Sequence, residues 1–159
     1  MRGVVACTAL LAAGACSPDE GSTGPVGIDS TDITGAERAA CRALVDVLPD
    51  ELGGQEQREV EPDDALGAAW GDPAIELTCG VGRPDGFTKF SGCDEVNGVG
   101  WYVPEDQVAD RSADVTLTTI GFQPRVGLRI PATYRPPNDV LVQLAAPIKK
   151  HLTLVKPCV

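Results

Sequence analysis

Side chains able to do chemistry are sparse in this chain, and their spacing limits what they could do. There is one histidine, His151, whereas acyl-transfer triads and metal sites draw on several basic or ligating groups. It follows Lys149 and Lys150 in the last turn of an apolar-striped segment, where cations complement a helix dipole. A hydrolytic centre would need a pair of carboxylates, or a nucleophile beside a base. The nearest candidates are Asp72, close to Trp70, and Asp94 with Glu95, beside Cys93. Asp72 precedes Pro73 and reads as a turn residue; Asp94 and Glu95 read as exposed loop charges. No catalytic residue, metal ligand or cofactor motif is assigned.

The six cysteines carry more information. They are Cys7, Cys16, Cys41, Cys79, Cys93 and Cys158, and no pair has the Cys-x-x-Cys spacing of redox or zinc motifs. In a small chain such cysteines point to an oxidising compartment. Residues 1–15 read as a signal peptide: Met1-Arg2, an apolar run over 3–12 too short to span a bilayer, and Ala13-x-Ala15 before the cleavage point. Ala13-Gly14-Ala15-Cys16 also resembles a bacterial lipobox, with Ala13 where leucine is usual. In a lipobox the cysteine is diacylated and becomes the mature N-terminus. The expectation is lipid on Cys16, holding the protein at the extracellular face of the cell membrane through two acyl chains. Secretion without lipid is the alternative. Residues 17–33, rich in Gly, Ser, Thr, Pro and Asp, read as a flexible linker.

Four cysteines then remain for a single globular domain over 34–159, with three possible connectivities. The expected pairs are Cys79–Cys93, closing a short loop, and Cys41–Cys158, tying the first helix to the C-terminus.

The elements that would position these residues follow from period and punctuation. Thr34-Gly35-Ala36-Glu37 fits a capping box, and Cys41, Leu44, Val45 and Leu48 share one helical face up to Pro49. The acidic stretch 50–64 lacks the order of a calcium loop and reads as solvated, with a short edge strand near Val60. Residues 65–70 read as a turn of helix. Period-2 alternation marks strands over 75–81, 99–103, 115–120 and 125–130, the last two joined as a hairpin through 121–124. A closing helix carries Leu141, Leu144, Ala145, Ile148 and Leu152, with Pro147 expected to kink or restart it. The fold class expected is α+β: an antiparallel sheet of about four strands, with an N-terminal and a C-terminal helix packed on one face. The other face would be partly solvated. It offers Glu76, Tyr102, Thr116, Thr118, Arg125 and Arg129 as a binding surface, although alternating Thr, Glu and Arg also suits any water-facing strand.

With 13 Lys and Arg against 23 Asp and Glu, the net charge is −10, which argues against a nucleic-acid partner. The segments Cys41-Arg42-Ala43-Leu44, Gly67-Ala68-Ala69-Trp70-Gly71-Asp72-Pro73-Ala74-Ile75, Cys79-Gly80-Val81, Val96-Asn97-Gly98-Val99-Gly100-Trp101 and Ile130-Pro131-Ala132-Thr133-Tyr134 resemble the actinobacterial domain-of-unknown-function family 3515. The resemblance implies a secreted or membrane-anchored envelope protein and carries over no catalytic residue. The expected function is a non-catalytic binding or assembly module at the outer face of the cytoplasmic membrane, engaging an envelope protein or wall component. The alternative is an envelope hydrolase using the carboxylates between Trp70 and Glu95.

Overall fold

The computed structural model describes residues 24–29 and 31–157. A short strand β1 (Val26–Gly27) precedes helix α1 (Gly35–Val45). Strands β2 (Glu51–Leu52), β3 (Gln55–Arg58), β4 (Val60–Glu61), β5 (Gly67–Trp70) and β6 (Ile75–Val81) follow. Next come β7 (Asp94–Val96), β8 (Val99–Tyr102), a short helix α2 (Glu105–Ala109) and β9 (Val115–Ile120). The chain closes with β10 (Phe122–Gln123), β11 (Arg125–Ile130), a 3-10 turn (Ala132–Tyr134), helix α3 (Asn138–His151) and β12 (Thr153–Leu154). The class is α+β, but the main sheet has eight strands, in the order β2-β3-β5-β6-β11-β9-β8-β7, rather than about four. Every pairing within it is antiparallel.

Period-2 alternation explains the centre of the sheet. Leu77, Leu128 and Leu117 lie opposite one another across β6, β11 and β9, and all are buried. Cys41 and Leu44 of α1, and Leu144 and Ile148 of α3, are fully buried in the same apolar cluster. Both helices therefore cover one sheet face, as the sequence suggests. Each large apolar side chain so buried contributes about 1.5–3 kcal/mol. Thr34 is the N-cap of α1, though its hydroxyl makes no capping hydrogen bond. Helix α3 runs unbroken through Pro147: burial of Leu144 and Ile148 on either side outweighs the lost backbone hydrogen bond.

Several expectations are corrected. Residues 65–70 do not form a helical turn; Gly67–Trp70 is a fully buried strand. A Cβ at Gly67 would stand 2.2 Å from the Leu77 carbonyl oxygen, so only glycine allows β5 to lie this close to β6. Ala68 and Trp70 face the helices, and packing overrides alanine's helical preference. Strands β7 and β8 form a hairpin closed at Val96 and Val99, with Asn97 and Gly98 at φ 50° and 84°. Asn-Gly is the sequence signal for such a two-residue turn. Residues 24–29 and 31–33 belong to the fold rather than to a linker: β1 pairs with β4, Ile28 is buried, and Ile33 packs against the core.

The disulfide pairing also differs. Cys41 is bonded to Cys79, tying α1 to β6 across a Cα–Cα distance of 5.5 Å. This overturns both expected pairs, Cys79–Cys93 and Cys41–Cys158. Strands β6 and β7 stand four steps apart in the sheet, roughly 19 Å at the usual strand spacing, whereas a disulfide spans Cα atoms less than about 7 Å apart. Cys93 is itself disulfide-bonded, with a partner outside the described residues. Cys7, Cys16 and Cys158 also lie outside them, as do the signal peptide and the lipidation site.

Candidate functional site

The sheet face turned away from the helices gathers most of the residues singled out there. Arg129 lies opposite Glu76 on one side and Thr116 on the other; Thr118 lies opposite Tyr102. The charged groups among them are met inside the protein. Arg129 donates to Glu76 Oε1 at 2.7 Å and to Asp114 Oδ2 at 2.6 Å, and Asp114 Oδ1 accepts from the Ala132 N–H at 3.0 Å. Thr118 and Tyr102 are 6% and 7% exposed, and the Phe87 ring packs edge-on against Tyr102 at 5.1 Å. Arg125 does not join this group: the register slips between Arg125 and Val126, and Arg125 lines a different hollow. Sequence reasoning missed Asp114, the second carboxylate on Arg129; a lone Asp before a strand carries no periodic signal.

The carboxylates considered for hydrolysis are not brought together. Asp72 sits in the β5–β6 turn, 4.0 Å from Arg58. Asp94 and Glu95 lie on β7, five strand steps from β5, about 24 Å away. His151 Nε2 is buried without a hydrogen-bond partner. Among the described residues, no group of three or more His, Cys, Asp or Glu is arranged to hold a metal ion.

A concavity with an apolar wall lies elsewhere, on the helical side of β7–β9. It is a cleft of about 420 Å³ whose apolar wall is Val96, Trp101, Val103, Val115, Leu117 and Leu141. The size and lining are those of small-ligand pockets. Arg111, Arg135, Asp94 and Asn138 supply its polar edge, and Val108 of α2 forms a lip. Arg135 builds one side by donating to the carbonyls of Asp110 at 2.5 Å, Ala113 at 3.0 Å and Gln107 at 3.1 Å. The Asp110 carboxyl is held below the ordinary aspartate value, first by the Ser112 hydroxyl at 2.6 Å and then by the Ser112 N–H at 2.9 Å. Desolvation opposes this lowering, and the Ala113 N–H and the Arg135 charge add lesser contributions to it.

Trp101 sets this cleft apart. It is 1% exposed, and its buried indole N–H has no acceptor. The other tryptophan, Trp70, donates its N–H to the Pro49 carbonyl at 2.9 Å. An unmet buried donor costs about 1–3 kcal/mol. A ligand whose acceptor reached that N–H as the cleft adjusted around the ring would recover this.

The family model described as a protein of unknown function, DUF3515, matches residues 1–157. The chain belongs to this family. Membership assigns no activity to the cleft, and it covers every strand and helix described above. No curated protein and no solved structure matches the chain. No helix among the described residues is long and apolar enough to cross a membrane.

Proposed function

We propose that this DUF3515 member is an exported envelope protein, held at the outer face of the cytoplasmic membrane by lipid on Cys16, and that it is a non-catalytic binding module. Its ligand lies in the cleft between α2, β7–β9 and the start of α3. The observation that carries the binding reading is the unmet Trp101 N–H in an apolar-walled cleft. It calls for a ligand with an apolar body and a hydrogen-bond acceptor. The buried Cys41–Cys79 disulfide supports folding in an oxidising compartment. The sheet face of Glu76, Thr116, Thr118 and Arg129 supports a docking role less well, because its charges are paired internally. The scatter of Asp72, Asp94 and Glu95 leaves the hydrolase reading without support from geometry.

The test uses the Trp70→Phe variant, in which Trp101 is the only tryptophan. Anilinonaphthalene sulfonate, an apolar body with an anionic acceptor, should quench Trp101 emission saturably with one site. Val108→Glu, at an exposed lip position, should weaken that response tenfold or more. A response that does not saturate, or that Val108→Glu leaves unchanged, refutes the cleft. The anchor is tested separately by the intact mass of protein extracted from membranes. Cleavage before Cys16 with an added diacylglyceryl group is expected; the same cleavage without lipid refutes tethering.

A further inference from the structure

A second hollow, of about 310 Å³, sits where the 83–93 loop meets the β9–β10–β11 corner and residues 155–157. It shares no lining residue with the Trp101 cleft. Arg83, Lys89, Arg125 and Lys156 line it, and no Asp or Glu does. This is unexpected in a chain with 23 acidic and 13 basic residues. None of the four pairs with a carboxylate among the described residues; the ion pairs there use Arg38, Arg58 and Arg129. Like charges gathered without counter-charges repel one another, and an anion relieves that repulsion. Thr88 and Ser91 add hydroxyl groups to the same wall.

The backbone fixes this arrangement. The N–H groups of Val155 and Lys156 donate to the Gly121 carbonyl at 2.8 and 3.3 Å. Gly121 has φ +90°, and a Cβ there would stand 1.9 Å from the Lys156 carbonyl oxygen. Pairing of β10 with β12 holds the same corner. The register slip before Val126 separates Arg125 from the Arg129 row, and among the described residues its guanidinium meets the neutral Gln123 amide, whose oxygen accepts from its two terminal nitrogens at 3.0 and 3.3 Å. Arg83 is steered by the Phe87 carbonyl at 2.7 Å and by the Phe87 ring at 5.2 Å. Both guanidinium groups keep free N–H donors of the kind that bind phosphate oxygens.

We infer that this basic hollow is an anion site that takes a phosphate-bearing ligand. The source is soluble or wall-borne rather than a headgroup of the anchoring membrane. That orientation rests on the proposed tether; the site itself does not. Gly24, the first described residue, is bound by Arg58 at the β5–β6 turn end of the sheet. The hollow lies at the opposite end of β6, about 20 Å away at the usual rise per residue. Only residues 17–23 lie between Gly24 and Cys16; a linker of that length averages about 15 Å end to end, less than that separation, so the proposed tether biases the turn end toward the membrane.

Pyrophosphate titrated into the full mature chain at low salt, followed by amide chemical shifts, is the test. Saturable shifts centred on residues 83–91, 121–125 and 155–157 are expected. Arg125→Glu and the milder, exposed Lys156→Gln should weaken binding, the former tenfold or more. Lys150→Glu, the same charge change on α3 outside the hollow, should change it less than twofold. Equal weakening by Arg125→Glu and Lys150→Glu, or no saturable binding to a folded protein, overturns the site. Binding to phosphatidylglycerol vesicles but not to pyrophosphate overturns the assignment to a soluble or wall-borne phosphate.

Discussion

Removing the Cys41–Cys79 bond with a Cys41→Ala/Cys79→Ala double variant should cost a large part of the domain's stability. The bond closes a loop of 38 residues. On the chain-entropy model such a closure restrains the unfolded chain by about 4 kcal/mol. Both side chains are fully buried between α1 and β6, so small voids add to the loss rather than relieve it. Domains of this size have a total stability of about 5–15 kcal/mol, so the variant should be marginal. Urea unfolding under non-reducing conditions keeps the Cys93 bond intact and isolates the effect. With a slope of about 2 kcal/mol/M the midpoint should fall by about 2 M, with a slightly larger slope because the freed chain exposes more surface. Peptide mapping of the parent chain should yield a Cys41–Cys79 peptide. Counting among the four domain cysteines then leaves Cys158 as the expected partner of Cys93. A loss below about 1 kcal/mol would refute the entropic argument, and a Cys79–Cys93 peptide would refute the pairing.

Two further predictions separate the roles of named groups. Trp70→Phe and Trp101→Phe remove similar ring area from buried sites, but the first strands the Pro49 carbonyl while the second removes an unmet donor. Trp70→Phe should be the more destabilising by about 2 kcal/mol in urea unfolding; equal losses would mean that the Trp101 N–H is satisfied. The Asp110 carboxyl is depressed in the folded state, so its contribution is present above the unfolded aspartate value and lost as pH falls through the folded one. Hydrogen exchange at the Ser112 amide should therefore be pH-insensitive in its protection near neutrality, and the protection should outlast the ordinary aspartate value as pH falls before it is lost. Asp110→Asn should abolish that pH dependence, and protection already lost at or above the ordinary aspartate value in the parent would refute the assignment.

What the sequence determined by itself was local. The apolar stripe of Leu141, Leu144, Ala145 and Ile148, the face of Cys41 and Leu44, and the alternation of Ile75, Leu77 and Cys79 each repeat with the period of their own element. Burying them on one side follows directly. The β9–β11 hairpin was legible for the same reason, since its partners are close in sequence. The Asn97-Gly98 turn was legible in principle too, because its positive φ values are written into those two residue types. What only the tertiary structure decided was everything set by distant partners. Residues 65–70 became a strand because β6 and the core outweigh alanine's helical preference. Cys79 found Cys41 because α1 lies over β6, a fact of strand order and not of loop length. Both hollows are assembled from segments far apart in the chain: Trp101 meets Leu141, and Arg83 meets Lys156. No local period encodes such meetings, since they depend on how the whole sheet is ordered and which face each helix covers.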